Sequence, residues 1–150
     1  MEDLILPNKK VMNAKESKSV QVFAPATVAN VVCGFDILGF AVDEPGDEVI
    51  MRITNKPGIT ISKITGDNGR LPLDPAKNTV SVSVRHYLDS IERQDLGLDI
   101  ELHKKMPIGS GLGSSSASTV AGLFAAKTLL GDDCDPVKLF PRATKGEEMA

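Results

Sequence analysis

Apolar positions alternate with polar ones in four stretches of the chain and recur at helical spacing in three more, and the order of these patterns predicts the elements. From Lys18 to Ala24, Val20, Val22 and Ala24 alternate with Ser19, Gln21 and Phe23, a strand that Pro25 should end. Val49, Met51 and Ile53 alternate again. Asn55, Lys56, Pro57 and Gly58 supply a turn, and Ile59 and Ile61 resume the alternation, which predicts a two-stranded antiparallel hairpin. Gly66, Asp67, Asn68 and Gly69 mark a second turn. Asp74 and Pro75 announce a helix start, and Val80, Val84, Tyr87, Leu88 and Ile91 keep helical spacing. The Val-Ser alternation over 80–84 fits a strand equally well, but Arg85, Asp89 and Glu92 supply a wet face that favours the helix. Leu96, Leu98, Ile100 and Leu102 alternate strictly and predict the last strand.

Beyond residue 113, Val120, Leu123, Phe124 and Leu130 fall at helical spacing, with Gly131 placed as a C-cap. Asp135 and Pro136 read as an N-cap followed by proline in the first turn. Val137, Phe140 and Ala143 are expected to face inward, and Pro141 to kink or divide the helix. Residues 1–17 carry mixed signals and read as a leader of uncertain order, so the domain is placed at 18–150.

Between the last strand and the long helix lies Pro107 to Thr119, PIGSGLGSSSAST. Gly109, Gly111 and Gly113 allow positive φ and bring bare N–H groups close to a ligand. Those groups open a helix, where unpaired donors and the dipole favour an anion, and a phosphate suits the place. Two familiar glycine loops fit poorly. A Walker A loop ends in Gly-Lys-Ser/Thr, whereas Gly113 is followed directly by Ser114. A dinucleotide fingerprint wants glycine or alanine where Ser114 stands, and its acidic residue should end a strand, whereas Asp132 and Asp133 sit in turn chemistry. A ligand-free glycine-serine linker is the bland alternative, weakened by the helical pattern that follows at once.

The stretch PIGSGLGSSSAS resembles the second motif of the GHMP kinases, approximately Pro-x-x-x-Gly-Leu-Gly-Ser-Ser-x-Ala, at every fixed position. The resemblance implies an α+β fold like that of ribosomal protein S5 domain 2, a mixed sheet with helices on one side. It also implies a ferredoxin-like C-terminal domain that this chain does not contain. It assigns ATP to a site made by Pro107, Ile108, Gly109, Ser110, Gly111, Leu112, Gly113, Ser114, Ser115 and Ser116, with Mg²⁺ near Ser115 and a metal-binding glutamate at Glu147. Ser115 and Glu147 are thereby the candidate catalytic pair. An asparagine near adenine in the family falls at Asn78, which by position would otherwise be only an N-cap.

Residues 24–47, with Ala29, Asn30 and then Gly34, Phe35, Asp36, Leu38 and Gly39, resemble the first motif of the homoserine kinases within that superfamily. By that match Asn30 and Asp36 contact an amino-acid substrate, Asp36 suiting its cationic amino group. Taken by themselves these residues fit a turn with Asx hydrogen bonds. Cys33 stands where homoserine kinases commonly have proline.

Composition narrows the partners. Apolar residues at 41% and charged residues at 25% of 150 are globular proportions, and a net charge of −3 argues against nucleic acid or an anionic membrane and for a small molecule. Cys33 and Cys134 have no disulfide or zinc spacing and are expected to be small buried hydrophobes. No apolar run is long enough for a membrane span, and the acidic start does not resemble a signal peptide, so a cytoplasmic protein is expected. His86 and His103 lack partners at metal or triad spacing and read as solvated. Lys104 and Lys105 lie close enough to the loop to reach phosphate or ribose, and Lys105 joins the candidate nucleotide contacts, with a surface lysine as the alternative. Glu147 and Glu148 point about 100° apart on a helix, so one of them at most serves a given site.

The expected chemistry is phosphoryl transfer from ATP to the hydroxyl of L-homoserine, with no obvious general base. A mevalonate- or sugar-type GHMP kinase, a dinucleotide-binding domain and a folded but inactive module are the alternatives. The chain ends in the helical run RATKGEEMA with no cap after it, which reads as the N-terminal part of a longer enzyme with little activity alone. Oligomeric state is left open, a homodimer being allowed.

Overall fold

A computed structural model describes residues 18–29, 31–34 and 37–148. Four strands form one sheet: β1 (Ser19–Val28), β2 (Phe40–Thr54), β3 (Gly58–Thr65) and β4 (Gly97–His103), in the order β1-β2-β4-β3. β1 with β2 and β2 with β4 are antiparallel, and β3 with β4 is parallel. This mixed sheet is not the largely parallel one a dinucleotide domain requires. Helices α1 (Thr79–Ser90), α2 (Ser114–Leu130) and α3 (Phe140–Glu147) complete the fold, with 3₁₀ turns at Val32–Gly34 and Pro136–Leu139. Helix α2 packs on β1 and β2, α1 on α2, and α3 on α1. Among the described residues no helix is long and apolar enough to cross a membrane.

The core follows from alternation. Val49 and Met51 of β2 and Leu98, Ile100 and Leu102 of β4 are fully buried on the face that meets the helices, while Arg52, Asp99 and Glu101 cluster on the other. Alanines of α2, Ala117, Ala121 and Ala125, are buried and let the helix lie close to the strands.

The predicted hairpin does not form. β2 and β3 are consecutive, but β4 lies between them, so that Gly97 is opposite both Thr54 and Gly58. The short link of 55–57 straddles Gly97, whose hydrogen faces the Lys56 carbonyl; a Cβ there would lie 2.1 Å from that oxygen. Turn residues specify a reversal of direction, and a third strand that satisfies both edges overrides direct pairing.

β1 continues through Pro25 to Val28, because it is an edge strand and the register slips between Pro25 and Thr27. Asp74 and Pro75 open a turn, in which the Lys77 amide donates to the Asp74 carbonyl, and α1 starts only at Thr79. The segment 80–84 is helical, as its charged neighbours favoured. Pro141 falls at the start of α3, after the 3₁₀ turn, and Gly131 caps α2 at φ 68°. Val137 and Phe140 are not inward: they are 75% and 71% exposed, and Leu139 fills the core instead. Cys33 is exposed, not buried, and Cys134 is intermediate.

Candidate active site

The strand β4 delivers the chain to the glycine loop, and α2 begins on its far side. Gly109, Gly111 and Gly113 have φ of 79°, 74° and 70°, the left-handed region in which side chains are strained. At Gly113 space is limiting as well, since a Cβ would lie 2.4 Å from the Thr27 hydroxyl. The Thr27 amide donates to the Leu112 carbonyl at 3.0 Å, so β1 supports the loop from behind. Gly113 caps α2 without any side-chain bond. Of the loop amides, that of Ser110 donates to the Pro107 carbonyl. The N–H groups of Gly109, Gly111, Leu112 and Gly113, and of Ser114 and Ser115 in the first turn of α2, make no hydrogen bond among the described residues.

The residues that carry these groups line a cavity of about 450 Å³. One wall is the loop from Pro107 to Ser115. The other brings Leu71, Pro72, Lys77 and Asn78 from the segment before α1 and Thr79 and Val80 from its first turn, and Leu102, Lys104 and Ser118 complete the lining. Leu71, Pro72 and Val80 give one side apolar surface that suits a flat base, and the glycine loop gives the other backbone donors that suit an anion. Among the described residues the lining contains no carboxylate and no imidazole.

Asn78 borders the cavity, buried, and caps α1: its Oδ1 accepts from the Val80 amide at 3.2 Å and its Nδ2 donates to the Pro72 carbonyl at 3.2 Å. The amide retains one N–H and one lone pair for a further partner. Ser114 and Ser115 border the cavity, whereas Ser116 is exposed and outside it. Lys105 is also turned away: its Nζ pairs with Glu48 Oε1 at 2.5 Å, and that hydrogen bond holds the Glu48 carboxyl below its ordinary value. Asn30 and Asp36 lie outside the described residues.

Glu147 is brought from α3 to the first turn of α2. Its Oε1 accepts from Ser115 Oγ at 3.1 Å and Thr119 Oγ1 at 2.9 Å, and its Oε2 from Ser116 Oγ at 3.3 Å. The approach depends on Gly146, where a Cβ would stand 2.0 Å from Ser83 Oγ of α1. Glu148 points elsewhere and pairs with Lys145. Thr119 had no sequence signal beyond its place one turn after Ser115.

Sequence reasoning also passed over Asp47. Its side chain is fully buried, and burial alone would push its carboxyl up. Hydrogen bonds from Lys104 and Ser114, the Lys104 charge and the Lys105 amide outweigh burial and hold it below its ordinary value. Lys104 Nζ lies 2.5 Å from Asp47 Oδ2. A signal existed: Asp47 shares the inward face with Val49 and Met51, and Lys104 shares it with Leu102, so charges stand at apolar positions.

Among the described residues no three His, Cys, Asp or Glu side chains converge as a metal cage. A carboxylate with neighbouring hydroxyls beside an anion site is instead the hard-oxygen donor set that suits Mg²⁺, which commonly takes one or two carboxylates and completes its shell with phosphate and water.

Comparison with known proteins shows what the chain is similar to. Residues 78–150 match the family described as GHMP kinases N terminal domain. The chain is 48% identical over 142 residues to a homoserine kinase of Chloroherpeton thalassium and 50% identical over 143 residues to one of Chlorobium phaeovibrioides. Each match covers 89% of this chain and 44% of the relative, so the chain spans less than half the length of these relatives. The crystal structure of homoserine kinase from Cytophaga hutchinsonii superposes with a TM-score of 0.86 at 55% identity, covering 95% of this chain and 44% of that one. A mevalonate kinase structure shares the fold at 19% identity and a TM-score of 0.69.

Proposed function

We propose that this chain, which has the N-terminal fold of the GHMP kinases, is the nucleotide-binding part of an ATP-dependent homoserine kinase that converts L-homoserine to O-phospho-L-homoserine on the route to threonine. The observation that carries the reading is the uncapped start of α2, whose first residues line the cavity. Similarity of 48–55% to proteins named homoserine kinase supports the choice of substrate.

In this reading the adenine lies against the apolar wall beside Asn78, and the polyphosphate lies along the loop amides. Those donors are fixed before the ligand arrives, so they stabilise charge on the phosphoryl oxygens without reorganising. Ser115 and Glu147 would hold Mg²⁺, which offsets charge between the phosphates when bound. Asn30 and Asp36 are assigned to the acceptor, Asp36 to its ammonium group. Phosphoryl transfer of this kind asks the protein mainly for positioning and electrostatics, which backbone donors on a fixed loop can supply.

The test uses the full-length protein with ATP and Mg²⁺, measuring ADP release with homoserine, mevalonate and galactose. Homoserine should give the highest kcat/KM. Preference for mevalonate or the sugar overturns the substrate while leaving the loop assignment standing. Asp36→Asn should raise KM for homoserine, and an unchanged KM removes that residue from the substrate site.

A further inference from the structure

Asp47 distributes its two oxygens between the two ends of the glycine loop. Oδ1 accepts from the amides of Lys105 at 2.8 Å and Met106 at 3.2 Å, just before the loop. Oδ2 accepts from Ser114 Oγ at 2.7 Å and Ser118 Oγ at 3.1 Å, in the first turns of α2. It also accepts from Lys104 Nζ, which donates as well to Ser118 Oγ at 2.6 Å and the Ser114 carbonyl at 2.9 Å. An ammonium group has three protons. Those of Lys104 are all engaged within the protein, although the side chain borders the cavity.

We propose that Asp47 and Lys104 are a buried positioning pair that ties the strand before the loop to the helix after it, and that neither is a ligand contact. This rests on the nucleotide reading above and deepens it. The loop bears glycines with positive φ and open amides, an arrangement with little internal bonding to hold its shape. A carboxylate clamping both ends holds the chain ends at a fixed separation, so the amides stay aimed at the cavity. Lys104 neutralises that carboxylate and adds a second tie to Ser114 and Ser118, which a neutral acceptor could not anchor as firmly. The pair also lies where β2 and β4 register predicts a cross-strand neighbour, one step past Glu48 and His103.

The experiment compares full-length wild type, Asp47→Asn, Lys104→Met and the double variant. In Asp47→Asn an NH₂ group faces the donors now served by Oδ2, and in Lys104→Met the carboxylate is left unpaired. The double variant removes both charges and guards against unfolding of either single one. Hydrogen exchange in nucleotide-free protein should accelerate about tenfold across 104–118 in the double variant, with α1 unchanged. Affinity for MgADP should fall about tenfold. Its salt dependence should stay as in wild type, because no cation contact to the ligand is lost. Val84→Ala, a core change of α1, should lower stability while leaving MgADP affinity within about twofold of wild type.

Wild-type exchange across 104–118 in the double variant overturns the proposal. So does unaltered MgADP affinity, which makes the pair merely structural, or a weakened salt dependence, which makes Lys104 a ligand contact. A double variant that fails to fold also overturns it, assigning the pair to global stability. Failure of wild type to bind MgADP would instead sink the nucleotide reading, and the exchange data would still decide the tie.

Discussion

Two helices begin at the same cavity and treat their first amides in opposite ways. α1 is closed by its own chain: Asn78 Oδ1 accepts from the Val80 amide, and Asn78 is further fixed to the Pro72 carbonyl. α2 starts from Gly113, which has no side chain to fold back over the first turn. A helix start leaves several N–H groups without intrahelical partners, and a capping side chain removes one such site from the ligand's reach. The capped start therefore turns a side chain over its first turn and the open start does not, although the two helices pack against each other. The open start is supported from outside, by Thr27 behind the loop and Asp47 beneath it.

Closing the open start should have the largest effect. Gly113→Val forces a branched side chain into a left-handed conformation and against Thr27, so affinity for MgADP should fall about 100-fold by calorimetry. Binding within a few-fold of wild type would show that the loop is not the receptor. Next, Glu147→Ala removes the carboxylate that α3 brings to the open start. The Mg²⁺ concentration giving half-maximal activity should rise about tenfold, and an unshifted Mg²⁺ titration would place the metal elsewhere.

Opening the capped start should do less. Asn78→Ala should cost about 1 kcal/mol in denaturant unfolding, while MgADP affinity weakens less than in Gly113→Val. If the two variants lose affinity equally, Asn78 is a ligand contact as much as a cap. The smallest effect concerns acid. Asp47 titrates below its ordinary value of 3.8 because its hydrogen bonds and Lys104 outweigh burial. Its contribution is therefore present above the unfolded value and lost as pH falls through the lower folded value. Wild type should lose stability more steeply than Asp47→Asn as pH drops below about 4. Parallel curves would mean that the carboxylate is not held charged by the fold.

The loop was the most legible part of the molecule. Three glycines, the serines after them and the helical spacing beyond predict an uncapped helix start, because each feature depends only on near neighbours along the chain. The caps at Asn78, Gly131 and Asp135 were legible for the same reason. Lys105 was named as a nucleotide contact and faces Glu48, while its neighbour Lys104 faces inward, a distinction of strand phase. Phe140 and Val137 were expected inside because apolar residues usually are, but the 3₁₀ turn ending at Leu139 rotates a different side chain to the core.

By itself the sequence determined where most strands and helices lie and that a glycine-rich loop opens α2, all from spacings of a few residues. The tertiary structure alone decided that β4 separates β2 from β3, that Asp47 meets Lys104 and both ends of the loop, and that Glu147 reaches Ser115. Those contacts join residues tens of positions apart. Their partners are chosen by which faces the packed sheet and helices bury together, a choice that no local pattern contains.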